Sequence, residues 1–175
     1  MLKVLARLRV PLGFLFAALA FYLAAPTRAS LLAGFGISLA GELLRVWAAG
    51  HIDKGREVTR SGPYRFVRHP LYLGSSVMAV GFIVASRSVA VAAVVFVYML
   101  FTLVAAIRTE EATLDARFKG EYSAYRAGVA TPVTKAFTLE RVRANREYRA
   151  VIGLAAGMAI LYLKSRLGTR APVRR

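Results

Sequence analysis

Long apolar segments, separated alternately by very short and longer polar ones, constrain the fold of this chain most strongly. They cover residues 10–25, 31–50, 71–85 and 89–107, and a weaker fifth covers 151–163. The second and fourth have about the 20 residues that a bilayer core requires, whereas the first and third are shorter. The gaps 26–30 and 86–88 allow only tight turns. We therefore expect an all-α membrane protein with four spans in two helical hairpins.

Composition supports a multi-pass membrane protein and excludes several other classes. Hydrophobic residues make up 57% of the 175 residues and charged residues only 19%, less than in typical soluble domains. The absence of cysteine excludes disulfide scaffolds, thiol nucleophiles and Cys-ligated metal sites. With His51 and His69 as the only imidazoles, the sequence predicts no metal site. The net charge of +16 comes from residues that flank apolar helices, which indicates contact with anionic lipids rather than nucleic acid.

The distribution of basic residues predicts the orientation of the four-span core. Seventeen Lys and Arg residues lie before the first span, between the second and third spans, or after the fourth up to residue 149. Only Arg28 and Arg87 lie in the two turns. Because basic loops stay in the cytoplasm, both ends of the core should be cytoplasmic, in an inner or plasma membrane of prokaryotic type.

The two terminal segments each allow two interpretations. The N-terminus has the basic start, apolar stretch and small residues of a signal peptide, but its removal would leave the second span without a hairpin partner. The segment 151–163 is followed by five basic residues between positions 164 and 175, which a fifth span would carry outside. The sequence therefore favours an interfacial helix over a fifth span. We assign residues 1–149 to the membrane-embedded domain and 150–175 to this helix and a basic tail.

Glu42 and Arg45 place two charges within the second span, three residues apart and so on one helical face. Charges in a bilayer core are costly, and such residues usually face a bundle interior or a polar cavity. Two interpretations are open. The pair is either a structural ion pair, or Arg45 points into a substrate cavity and holds an anionic group.

Arg68, His69 and Pro70 stand at the expected start of the third span. Proline suits the first position of a helix because its missing N–H has no partner there. Free backbone amides, the helix dipole and the guanidinium would then converge on a site for a carboxylate or phosphate. A basic loop at the membrane surface is the alternative.

The helical pattern continues beyond the fourth span through Ile107, Glu111, Leu114 and Phe118. Glu110 and Glu111 open this extension, and Tyr122 and Tyr125 follow it. Adjacent carboxylates in a chain of only nine acids suit a cationic ligand such as a sulfonium or an amine. A solvated acidic turn with interfacial tyrosines is the alternative.

These motifs together resemble those of the isoprenylcysteine carboxyl methyltransferase and phospholipid methyltransferase superfamily. The resemblance covers roughly residues 40–130, and its two motifs are separated by one helical hairpin. Two departures stand out: Ser86-Arg87-Ser88 where relatives often have Asn, and Phe118-Lys119-Gly120 where they often have Phe-Gly. The matching residues are Gly62-Pro63-Tyr64, Arg68-His69-Pro70-Leu71-Tyr72-Leu73-Gly74, Glu110-Glu111, Leu114, Phe118, Glu121-Tyr122 and Tyr125.

The resemblance implies an integral-membrane methyltransferase that modifies a lipid-like acceptor and binds S-adenosylmethionine at the cytoplasmic face. The acceptor would enter from the bilayer. Residues of the first motif implied at the cofactor are His69, Pro70, Tyr72 and Gly74. The second motif contributes Glu110 and Glu111, and the segment that closes over it contributes Tyr122 and Tyr125. Basic residues implied in substrate orientation are Arg45, His51 and Lys54.

Methyl transfer from a sulfonium is compatible with this residue inventory. It is an in-line displacement that needs alignment and control of charge more than a nucleophile or a metal. For a carboxylate acceptor, Arg45 or Arg68 would hold the oxygens. For an amine acceptor, Glu111 would serve as base. These residues suit either acceptor, an isoprenylcysteine-type carboxylate or a phospholipid amine.

Two other functions match parts of the sequence. Membrane sterol-type reductases have a similar C-terminal arrangement and use a nicotinamide dinucleotide, but this chain is short and has no Gly-rich dinucleotide motif. A small non-enzymatic transporter or adaptor would use Glu42 as its charge within the membrane. We expect the methyltransferase.

Overall fold

The computed structural model describes residues 2–131 and 133–168, and within them the chain forms seven α-helices and no strand. This confirms the all-α prediction for the described part of the chain. A short 3-10 helix, Gly62–Arg65, interrupts the loop between the second and third helices. The helices are α1 (Leu2–Leu23), α2 (Arg28–Ala49), α3 (Pro70–Ser86), α4 (Val89–Arg117), α5 (Glu121–Arg126), α6 (Leu139–Ala144) and α7 (Tyr148–Gly168).

Three helices of the described chain are long and apolar enough to cross a membrane: α2, α4 and the Tyr148–Leu167 part of α7. The apolar Gly13–Leu23 part of α1 and the whole of α3 are shorter. The chain is an integral membrane protein, and its count of four spans stays a prediction.

Helices α2 and α3 pack most closely because glycines line both sides of their interface. A methyl group on Gly41 would lie 2.6 Å from the carbonyl oxygen of Gly74 and 2.7 Å from the amide nitrogen of Met78. In the same interface, the Ser38 hydroxyl donates a hydrogen bond to the Met78 carbonyl at 3.1 Å. Small residues of this kind let two backbones approach within a membrane. The interface therefore fixes Arg45, one turn beyond Gly41, against α3.

The first helix packs differently from the expected hairpin. It lies mainly against α4, where the rings of Phe16 and Tyr98 are 5.3 Å apart, rather than along α2. The small-residue face of α2 is already covered by α3, which leaves α1 to pack through its aromatic side chains. The turn between α1 and α2 is nevertheless short, running from Leu23 to Arg28, and its Ala25 amide donates to the carbonyl of Ser86 at the end of α3 at 2.8 Å.

Helix α7 packs against α2 and α3, and its Tyr148–Leu167 part is long and apolar enough to cross a membrane, while its interfacial position stays a prediction. It begins beside Arg45 of α2, and its Lys164 donates hydrogen bonds to the Phe21 carbonyl at 2.7 Å and the Tyr22 carbonyl at 2.5 Å. Leu161 is completely buried among residues of α1 to α4 near the two short turns. A lysine is accommodated there because it satisfies carbonyls at the end of α1.

Gly41→Ala should destabilise the protein because the new methyl group would meet backbone on α3 that has no room to move. Overpacking of this kind costs about 1–3 kcal/mol. Thermal unfolding in detergent would measure the loss as a lower Tm. Gly36→Ala on the same helix is the matched control, since its added methyl group would meet no atom of another described element within 4 Å. Equal Tm values for both variants would contradict the close α2–α3 contact.

Candidate active site

A cavity of about 700 Å³ lies at the end of the bundle away from the two short turns. Its volume is within the range of pockets that bind small molecules and cofactors. Four parts of the chain form its wall: α2 with the loop that follows it, the start of α3, the end of α4 with α5, and the turn before α7. The lining includes Arg45, Lys54, Glu57, Tyr64, Arg68, His69, Pro70, Tyr72, Glu110, Arg117, Tyr122, Tyr125, Arg146, Glu147 and Arg149.

Glu111 connects the two predicted motifs. Its Oε1 lies 3.1 Å from His69 Nε2 and accepts a hydrogen bond from the Tyr122 hydroxyl at 3.0 Å. Arg68 Nη1 is 3.5 Å from the same oxygen. Burial, and then the bond to Glu111, raise the pKa of Tyr122, so this phenol stays protonated and acts as a donor. Glu111 therefore fixes the ring of His69 and the side chain of Tyr122 relative to one another.

The adjacent acids lie in different environments. Glu110 lines the cavity, with Oε2 at 4.0 Å from His69 Nδ1. Glu111 does not line the cavity and lies behind the side chains that do. Of the two, Glu110 is thus the one that a ligand would meet.

Helix α5 is held over the cavity by two contacts with the loop that precedes α3. The Tyr125 hydroxyl donates to the Tyr64 carbonyl at 2.6 Å, and Arg60 Nη2 is 2.9 Å from Glu121 Oε1. The Tyr64 side chain is buried in the cavity wall, and its hydroxyl has no hydrogen-bond partner among the residues that the structure describes. Burial raises the pKa of this phenol. A buried hydroxyl without a partner is costly, and this one is covered by the surrounding atoms.

Arg45 is held by several partners where α2, α3 and α7 meet. Its Nε lies 2.6 Å from Glu147 Oε1, while Nη1 donates to the Leu71 carbonyl at 3.3 Å and to the Ser75 hydroxyl. Glu42 is further away, at 3.9 Å from Nε. Sequence reasoning missed Glu147, because no local pattern connects it with a residue 102 positions earlier.

Three predicted site residues lie outside the cavity wall: Glu111, as described above, Gly74 and His51. A methyl group on Gly74 would come 2.5 Å from Arg45 Cγ, so this glycine makes room for Arg45 between α2 and α3. His51 is buried, with Nδ1 at 3.2 Å from the Ser61 hydroxyl and its ring beside Phe137. Lys54, by contrast, does line the cavity.

The segment that precedes α6, together with α6 itself, forms ion pairs that hold the loop containing Lys54 in place. Lys135 forms ion pairs with Asp53 and, at 2.7 Å, with Glu57, and Arg141 Nε is 3.5 Å from Asp53. Burial, and then Arg141 and Lys135, lower the pKa of His51, so its ring is neutral at pH 7. The loop wall of the cavity therefore depends on contacts made from the C-terminal third of the chain.

The Asp53–Lys135 pair should make stability depend on pH in acid. The hydrogen bond from Lys135, opposed by burial, lowers the folded-state pKa of Asp53 below its ordinary value of 3.8. The stabilisation is therefore complete above pH 3.8 and is lost as the pH falls through the lower folded-state value. The Tm difference between the wild type and Lys135→Met should shrink over this range. A constant difference would contradict the pairing, and Lys119→Met, at an exposed lysine, is the control.

Comparison with known proteins assigns the family. A model of the phospholipid methyltransferase family matches residues 12–121, which include most of α1, all of α2 to α4 and the start of α5. The cobalt-zinc-cadmium resistance protein CzcN of Cupriavidus metallidurans is 36% identical over 92 residues, equal to 51% of this chain and 42% of that protein. The match thus spans less than half the length of this curated relative, and no solved structure matches the chain. Because the family match covers well over half of the residues, including His69, Pro70 and Tyr72 of the first motif and Glu110 of the second, the chain belongs to the phospholipid methyltransferase family.

Proposed function

We propose that this protein transfers a methyl group from S-adenosylmethionine to a lipophilic acceptor, either an isoprenylcysteine-type carboxylate or a phospholipid amine. One observation carries the proposal: the two sequence motifs line a single cavity. His69, Pro70 and Tyr72 come from the first motif, and Glu110 with Tyr122 and Tyr125 from the second. The membership in a methyltransferase family supports the same reaction class.

The residues of the cavity fit S-adenosylmethionine in size and charge. Glu57 and Glu110 offer carboxylates to its cationic groups, and Arg68 and Lys54 offer cations to its carboxylate. When bound, the cofactor supplies an electrophilic methyl group on a sulfonium, and this requires neither a protein nucleophile nor a metal. The residues expected to hold it are His69, Pro70, Tyr72, Glu110, Tyr122 and Tyr125.

The protein contributes mainly orientation and the exclusion of water. Glu111 holds His69 and Tyr122 in position, and α5 covers them through its contacts with Arg60 and the Tyr64 carbonyl. Keeping reacting groups aligned in a closed site supplies a large part of the rate enhancement of such a displacement. Arg45, at the cavity wall next to α7, would orient the acceptor.

A second, apolar groove on α4 supports a lipophilic acceptor. It has a volume of about 1040 Å³, is lined by Leu100, Phe101 and Val104 among others, and shares Thr109 and Thr113 with the cavity. This groove would let a hydrocarbon chain lie along α4 while the polar end of the acceptor enters the cavity. The seventeen basic residues that flank the predicted spans on one side support a cytoplasmic position of the cavity.

Transfer of a labelled methyl group would test the function even while the acceptor is unidentified. Membranes containing the protein are incubated with methyl-labelled S-adenosylmethionine, and the label in the organic extract is counted. We expect label that depends on the protein and is lost with His69→Ala. Treatment with base then releases methanol from a methyl ester but leaves an N-methyl group intact, which separates the two acceptor classes. No protein-dependent label with folded protein would overturn the proposal.

A further inference from the structure

Glu147 is a buried acid in a part of the chain beyond the family match, which ends at residue 121. It directly precedes α7, and its carbonyl accepts backbone hydrogen bonds from Ala150 at 2.9 Å and Val151 at 3.3 Å. Its side chain is only 5% exposed and meets Arg45 at 2.6 Å. The C-terminal helix thus places a carboxylate directly on a residue that lines the cavity.

The turn that carries Glu147 is firmly fixed to the end of α2. The Asn145 side chain donates to the carbonyls of Ala49 at 2.9 Å and Ile52 at 3.0 Å. Arg146 has a φ of 57°, in the left-handed region that non-glycine residues seldom occupy. Such conformations persist where the surrounding structure imposes them, and they concentrate at functional sites. Here the turn places the Glu147 carboxylate against the Arg45 guanidinium.

The partners of Arg45 leave one edge of its guanidinium for a ligand. Glu147 occupies Nε, while Leu71 and Ser75 occupy Nη1. Within the described chain, Nη2 of Arg45 makes no hydrogen bond. Since the guanidinium is planar, contacts at Nε and Nη1 determine where Nη2 lies.

We propose that Glu147 is a positioning residue that fixes Arg45 so that its Nη2 edge meets the polar end of the methyl acceptor. The C-terminal helix is then part of the active site. Glu42 does not have this role, because it is 3.9 Å from Arg45 and neither of its buried oxygens has a hydrogen-bond partner in the described chain. The inference rests on the proposed function.

Glu147→Gln tests the inference in the membrane transfer assay. Losing a charge-assisted hydrogen bond should lower the rate at saturating S-adenosylmethionine about 10-fold or more. The KM for S-adenosylmethionine and the Kd of S-adenosylhomocysteine should stay unchanged, because the change acts on acceptor orientation. Glu147→Asp should recover part of the rate, and Glu140→Gln, at an exposed acid of α6, should behave as the wild type.

A double-mutant cycle separates positioning from a general structural role. If Glu147 acts through Arg45, Arg45→Lys combined with Glu147→Gln should lose little more activity than Arg45→Lys alone. The inference would be overturned if the activity losses of the two single variants multiply in the double variant. Wild-type kinetics in Glu147→Gln would overturn it as well. If Glu147→Gln does not fold, as judged by its Tm, the same comparison is made with Glu147→Asp. Failure of the wild type to bind S-adenosylhomocysteine would instead overturn the proposed function, and this inference with it.

Discussion

Arg45→Met is expected to reduce methyl transfer about 100-fold or more, since small errors in alignment cost that much in displacement reactions. The same variant should be less stable than the wild type. It leaves Glu147, which is 5% exposed, without its cation, and an unpaired buried charge costs about 3–5 kcal/mol. Transfer rates in membranes and Tm values in detergent measure the two effects.

Two control variants separate the catalytic effect of Arg45→Met from its effect on stability. Arg28→Met makes the same substitution at the exposed start of α2 and should change neither rate nor Tm. Arg45→Met combined with Glu147→Met removes both charges and should recover stability but not activity. Recovery of the transfer rate in this double variant would show that Arg45 serves only the fold.

Glu111→Ala should weaken the binding of S-adenosylhomocysteine although Glu111 does not line the cavity. The substitution removes the oxygen that meets His69 at 3.1 Å and Tyr122 at 3.0 Å, so both side chains lose their common partner. Hydrogen bonds to charged groups contribute about 1.5–3 kcal/mol, which corresponds to about a 10- to 150-fold loss of affinity. Isothermal titration calorimetry on the purified protein gives the Kd.

Asp115→Asn is the matched control for Glu111→Ala, because it changes an acid one turn further along α4. Asp115 contacts Arg126 at 3.7 Å and Ser123 at 3.4 Å and does not line the cavity. Its affinity for S-adenosylhomocysteine should match that of the wild type. An equal loss in both variants would mean that the end of α4 is generally disturbed, and an unchanged Kd in Glu111→Ala would contradict the role of Glu111.

The two motifs line one cavity because they lie at particular helix ends. His69 stands at the start of α3 and Glu110 near the end of α4, and two helices joined by the tight turn at Arg87 bring those ends together. The helix boundaries follow from the same local signals, with Pro70 at the first position of α3 and Ser88 capping α4. These features depend on residues close in sequence, which is why they can be predicted.

The remaining features depend on contacts that local patterns do not encode. Glu147 meets Arg45 across 102 residues, and Lys164, near the end of α7, has a carbonyl partner on α1. Motif position likewise suggests cofactor contact for Gly74, whereas in the structure this glycine accommodates the Arg45 side chain. Such residues can be placed only once the packing of α2 against α3 is known.

Calorimetric titration of the detergent-purified wild type with S-adenosylhomocysteine measures directly whether the cavity binds the cofactor. We expect saturable binding at one site with a micromolar Kd, weakened by His69→Ala and Glu111→Ala, and no competition by reduced nicotinamide dinucleotide. A folded protein that does not bind S-adenosylhomocysteine, or that binds the dinucleotide in its place, would contradict the assignment of this cavity to methyl transfer.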